Sequence, residues 1–479
     1  MVCILYKIKV KPCKNSITLG FLMLLGVSLR AEVKLPAIFK DNMVLQQQTE
    51  APVWGKASPG KEIKVTTSWD NKSYTTSTDK TGNWKLAVST PVAGGPYSVT
   101  ISDGVELELN NVLIGEVWIC SGQSNMHFPM KGYYNQPMLG SNRAIATSYN
   151  PSIRLFTVDQ KISLETLDDL GGQWTECTPE EVAKFSATAY FFGKMLQETL
   201  GVPVGLISTS WGGSPIESWM DEATLKTFEE VNLPKKEAKN FTHKSPTTLF
   251  NAMIHPLIGY GIRGAIWYQG EGNRHTPELY RKLMPEMVKS WRKAWDRGEF
   301  PFYYVQIAPY NYKENGISAF FREAQLRALS EITNSGMACL MDAGDKNCIH
   351  PPDKRKAGER LAYLALDKTY GKKGFASSGP VLKDVEVEGN RVKLTFSNAS
   401  NGLTAFGKEL ENFQIAAKDK VFHPAKAIIT KEGITVYSEN VESPVAVRYA
   451  FQDYAMGDLF NTEGLPASSF RTDSWDINN

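Results

Sequence analysis

Histidine and cysteine are both scarce in this chain, six of each among 479 residues. Cys3 and Cys13 fall within residues 1–31, and the remaining four, Cys120, Cys177, Cys339 and Cys348, lie far apart without the close spacing of a zinc site. No metal and no cofactor is signalled, and spacing alone assigns no disulfide. An excess of one charge is lacking too. The formal net charge is +2, and five of the 53 bases, Lys7, Lys9, Lys11, Lys14 and Arg30, stand in residues 1–31 where there is no acid. The rest of the chain is near neutral, which leaves no electrostatic case for nucleic acid. Beyond residue 31 no apolar run is long enough for a bilayer, so no integral membrane domain is expected after the leader. Internal repeats and low-complexity linkers are missing as well. With 42% hydrophobic and 22% charged residues, the chain has the composition of two or three globular domains with proper cores.

The first 31 residues read as a signal peptide: a basic segment to Lys14, an apolar stretch over 17–27 too short to span comfortably, then Ser28, Leu29, Arg30 and Ala31. Leu29 is large for the position three before the cut, and an uncleaved anchor is the competing reading. A mature chain starting near Glu32 and working in the periplasm or outside the cell is expected.

Residues 32–111 show short alternating runs separated by turn signals, which predicts a β-sandwich-like domain. Trp54 and Trp84 fit its core better than a sugar-stacking surface. From 112 to 371 strands alternate with helices, the pattern of a mostly parallel, layered α/β/α core. Residues 179–200 predict one helix; Tyr280, Leu283, Met284, Met287, Val288, Trp291 and Trp295 mark the buried stripe of another; a strand is expected over 337–341. Residues 372–479 return to strands and turns as a second β-rich module.

Within the core, the stretch GEVWICSGQSNM (115–126) ends an apolar strand and places Ser124 where the backbone turns. Ligands bind at the carboxyl edge of open α/β sheets, and a serine there becomes a nucleophile if a histidine takes its proton. A polar turn or helix cap is the plainer account. Three later loops also come after strands, so a parallel sheet brings them to the same edge. In STSWGGSPIESW (208–219), Gly212 and Gly213 allow close approach, and an N–H there suits an oxyanion; the alternative is a turn before a helix capped by Ser214. WYQGEGN (267–273) offers Gln269, Glu271 and Asn273 between glycines, where a solvated turn is the alternative. DAGDKNCIHPPDK (342–354) supplies His350, the one histidine in a loop after a late strand, and the order Ser then His fits serine hydrolases on α/β sheets.

Together GQSNM, SWGGSPIESW, WYQGEGN and the IHP loop resemble the sialate O-acetylesterase family, carbohydrate acetylesterases of the SGNH-hydrolase type, over residues 34–475. The resemblance implies an SGNH-like α/β/α core with flanking β-modules, Ser124 as nucleophile, His350 as base, and Gly213 with Asn273 or Gln269 near the oxyanion, with Gln123 beside them. It also implies an O-acetylated carbohydrate as partner, and neither metal nor cofactor. The chain departs from the pattern in having Cys348 two residues before His350 and Asn347 three before, where relatives carry Asp. Glu271 is then the expected acid behind His350, with Asp345 as competitor. A sialate 9-O-acetylesterase is the leading expectation; a deacetylase of xylan or another polysaccharide, and a non-catalytic carbohydrate-binding protein, are the alternatives.

Overall fold

The computed structural model describes residues 33–314 and 316–475. The expected leader, residues 1–31, lies outside them. The chain begins with β1 (Val44–Gln46), β2 (Glu50–Lys56), β3 (Glu62–Thr67), β4 (Ser73–Ser77), β5 (Asn83–Ser89) and β6 (Gly94–Ser102). Alternation makes these strands two-faced: β2 buries Ala51 and Val53, and β3 buries Ile63 and Val65. Pairing of β2 with β5, and of β3 with β4 and β6, is antiparallel throughout. Trp84 is buried in the module's core, and Trp54 packs edge-on against Phe39 at 4.6 Å between ring centres.

β7 (Glu106–Gly122) is 17 residues long and belongs to two neighbourhoods. Its first half pairs antiparallel with β6, and its second half is the central strand of the α/β core. Residues 111 and 112, where composition changes, therefore sit inside one strand, and no linker separates module from core.

The core continues through α1 (Ser124–His127), α2 (Ser141–Ala146), β8 (Asn150–Thr157), β9 (Trp174–Cys177), α3 (Pro179–Lys184), α4 (Ala187–Leu200), β10 (Val204–Ser210), α5 (Glu222–Leu225), β11 (Gly264–Tyr268), α6 (Pro277–Trp295), β12 (Phe302–Val305), α7 (Ile317–Ala328), β13 (Ser335–Ala338) and α8 (Lys354–Lys368). The sheet runs β13-β12-β11-β7-β10-β8-β9, parallel everywhere except at β8–β9. Period-two alternation along β7 sends Val117 and Ile119 into one core with Leu283, Met287 and Trp291 of α6. Trp118 and Cys120 go into the other, with Phe192 of α4 and Leu361 of α8. The result is the expected three-layer α/β/α core.

All seven residues of the stripe expected on α6 are buried. The single helix expected over 179–200 is instead two, α3 and α4. Ser186 breaks it: its hydroxyl accepts the N–H of Ala189 as the cap of α4 and donates to the carbonyl of Met126 at 2.5 Å. The strand expected over 337–341 is β13, displaced toward the N-terminus.

Beyond α8 the C-terminal module holds two four-stranded antiparallel sheets, one of Val381–Glu388, Arg391–Ser397, Gly433–Tyr437 and Lys426–Thr430, the other of Phe422–Pro424, Phe413–Ala416, Ala446–Tyr449 and Phe470–Arg471. It is fastened to α7 by the buried Arg322, which donates to the Gln452 carbonyl at 2.6 Å, and by Asp453, which accepts from the Ser318 N–H and hydroxyl. Cys120, Cys177, Cys339 and Cys348 are all free thiols. Among the described residues no helix is long and apolar enough to cross a membrane.

Candidate active site

Gly122, the last residue of β7, is in register with Ser210 at the end of β10 and with Tyr268 at the end of β11. The loops leaving these three strands therefore start at one level of the sheet. Strands β8, β9 and β10 lie on one side of β7, and β11, β12 and β13 on the other, so this edge is a topological switch point. Ser124 opens α1 here, two residues past the strand. A Cβ on Gly212 would lie 3.4 Å from the Ser124 Cβ, at ordinary contact distance, so the second loop packs directly beside the serine. Gly213, the expected oxyanion residue, comes next with φ +72° and faces Lys244. Among the described residues the backbone N–H groups of Ser124 and Gly213 have no hydrogen-bond acceptor, which leaves both donors for a ligand.

The expected amide donors do something else. Gln123 accepts from the Gly270 and Gly272 N–H groups at 3.3 and 3.1 Å. Gln269 donates to the Ser214 carbonyl at 3.2 Å and to Asn273 Oδ1 at 2.8 Å. Asn273 accepts from the Ile216 N–H at 2.8 Å and donates to Glu217 at 2.9 Å. These buried amides lace the three loops to one another; both N–H groups of the Gln269 amide are used in doing so, whereas the Asn273 amide donates one bond, to Glu217. Ser214, for its part, does not cap the short 3-10 helix Ile216–Trp219; its hydroxyl donates to Trp211 and accepts from the Trp219 indole.

His350 reaches the edge from the loop between β13 and α8. Asn125, the residue after Ser124, donates through Nδ2 to the Ile349 carbonyl at 3.2 Å and so ties this loop to the turn that carries Ser124. The His350 ring stands 5.8 Å from Phe128 and 5.6 Å from Tyr133. Its Nδ1 meets Gln136 Oε1 at 2.5 Å. With an amide oxygen as acceptor, Nδ1 carries the proton and Nε2 is left free to act as a base. Burial, with the charge of Lys354 added, pulls the imidazole pKa down to about 4.

Neither expected acid bonds to His350. Glu271 is buried and accepts from Asn125 Nδ2 at 2.6 Å; burial raises its pKa. It stands in the 3-10 turn Glu271–Asn273 and is bonded to the residue that follows Ser124. Asp345 accepts from the N–H groups of Asn347 and Cys348 at 2.7 and 2.9 Å, and so shapes its own loop. The place of the orienting acid is held by the neutral Gln136. No sequence signal singles this residue out: it comes from the irregular segment between α1 and α2 and matches no spacing. A cavity of about 290 Å³ lies alongside, lined by Pro215, Glu217, Lys244, Gly272, Asn273 and His275 among others.

A strand-end serine with free N–H donors and a neutral, oriented histidine is equipped for acyl transfer. Residues 114–367 match the family model described as carbohydrate esterase, sialic acid-specific acetylesterase. The sialate O-acetylesterase of Homo sapiens is 28% identical, covering 91% of this chain and 92% of its own length, and that of Mus musculus is 29% identical, covering 91% and 93%. The crystal structure of a carbohydrate acetylesterase from Xanthomonas citri superposes with a TM-score of 0.86 at 36% identity, covering 92% of this chain and all of that one. This chain belongs to the sialic acid-specific acetylesterase family of carbohydrate esterases.

Proposed function

We propose that the chain removes the 9-O-acetyl group from sialate, with Ser124 as nucleophile and His350 as general base. Ser124 Oγ attacks the acetyl carbonyl while His350 Nε2 takes its proton; the oxyanion is received by the Ser124 and Gly213 N–H groups. Collapse expels the sugar hydroxyl, to which His350 returns the proton, and water then repeats the attack on the acetyl-enzyme to release acetate. The observation that supports this reading is the common level at which Gly122, Ser210 and Tyr268 end their strands, from which the loops carrying Ser124 and Gly213 both start.

Lys244 lines the adjoining cavity together with Glu217, Glu230 and His275, so charges of both signs face a sugar bound there. Acetate release measured side by side on 9-O-acetylated sialic acid and acetylated xylan tests the reading: faster release from sialate is expected, and the reverse preference transfers the enzyme to polysaccharides. No release from either, nor from an aryl acetate, would leave a carbohydrate-binding protein. The basic and apolar leader supports export, so that the protein acts in the periplasm or outside the cell; N-terminal sequencing from the native host is expected to find a chain beginning near Glu32.

A further inference from the structure

Lys354 is a cation in a costly position. It is 1% exposed, and it is the first residue of α8, where the helix dipole favours an acid. Each of its three N–H bonds has a place to go: Asn125 Oδ1 at 2.8 Å, the Pro351 carbonyl at 2.5 Å, and the face of Phe128, whose ring centre is 4.7 Å from Nζ. Asn125 in turn donates to Glu271 and to the Ile349 carbonyl. The two carbonyls on either side of His350 are thus held by Asn125 and Lys354, and Asn125 is covalently next to Ser124.

The geometry points to Lys354 as a positioning residue for the reaction: acting through Asn125, with Glu271 as counter-ion at the far end of the amide, it holds the His350 loop against the nucleophile turn. A lysine chosen for stability alone would not be buried at a helix N-terminus. Here the placement is explained by what it grips. The inference rests on the reading of Ser124 and His350 as the reacting pair. The ionisable groups around the ammonium are Glu271 from the loop after β11, Cys348 and His350 from the loop before α8, and Asp353, which caps that helix. The ammonium also disfavours a second positive charge on His350, and burial lowers its own pKa to about 7.

Lys354→Met and Asn125→Ala, with Ser124→Ala as control, test this on an aryl acetate. Both variants are expected to lose about tenfold to 100-fold in kcat with KM within a few-fold of the parent, because the base is misplaced and not the substrate. Lys354→Met should also move the acid limb of kcat/KM to higher pH, since a positive charge beside His350 has gone; Asn125→Ala, which keeps that charge, should not. A folded Lys354→Met protein with the parental kcat and pH profile overturns the inference, provided Ser124→Ala is inactive. An active Ser124→Ala protein instead overturns the underlying assignment of the nucleophile. If Lys354→Met does not accumulate as folded protein, Asn125→Ala decides alone: reduced kcat on an unmoved acid limb supports the role, and parental kcat ends it.

Discussion

Gln136 gives His350 a fixed tautomer without giving it a counter-charge. The imidazolium formed during attack is therefore stabilised less than it would be beside a carboxylate. Substitution at Gln136 tests both halves of that statement. Gln136→Ala should lower kcat by about tenfold or more, since the ring loses the acceptor that keeps the proton on Nδ1. Gln136→Glu should raise the His350 pKa above about 4, and the acid limb of kcat/KM should rise with it; an unmoved limb would place Gln136 outside the mechanism. Ser124→Ala is expected to cut turnover by roughly 10³-fold or more at an unchanged melting curve. The depressed histidine also has a sign for stability. Between the ordinary value of 6.5 and about 4, the unfolded chain binds a proton at this residue that the folded chain refuses, so acidification over that window weakens the fold. Urea midpoints at pH 7 and pH 5 should therefore differ less in His350→Gln than in the parent. At this scale the sequence disclosed what local pattern can disclose. The places of Ser124 and His350 after strand ends were legible in the sequence, whereas Gln136, Asn125 and Lys354 meet them through contacts between segments up to 229 positions apart. Glu271 was misread for the same reason: its glycine-flanked place pointed to the cleft, but only the tertiary fold shows that Asn125 intercepts it.

Elements bring those residues together with little slack. A Cβ on Gly122 would lie 2.2 Å from the Tyr268 carbonyl oxygen, and the backbone there has φ +140°. Gly122→Ala should force β7 and β11 apart, two residues before the nucleophile. A loss of about 2 kcal/mol or more in chemical denaturation, with a fall in kcat, is expected. Ser186→Ala should cost about 0.5–2 kcal/mol by the same measurement, because α4 loses its cap. The hydroxyl's second bond, to the Met126 carbonyl in α1, explains why the break between α3 and α4 escaped the sequence. Periodicity runs on through residues 179–200, and the turn is decided by a partner sixty residues away. The long amphipathic α6 was legible because its own apolar stripe already specifies which face is buried.

On the scale of the molecule, the N-terminal module is not an appendage. A chain truncated to begin at residue 112 would start inside β7 and lose the antiparallel partner of its first half. Such a truncation is expected to be insoluble, and the intact module and core should melt in a single calorimetric transition; separate transitions would contradict the shared strand. The seventeen residues of β7 are not straight: Asn111 has φ +55°, and the pairing with β6 slips by one residue there. The strand is consequently a lever with a joint, set at Asn111 on the way to Gly122. Between the module and Gly122 the chain therefore passes through a bulge before it reaches the core sheet. Small movements of the module should accordingly be absorbed at that bend and leave the end of the strand at Gly122 where it is.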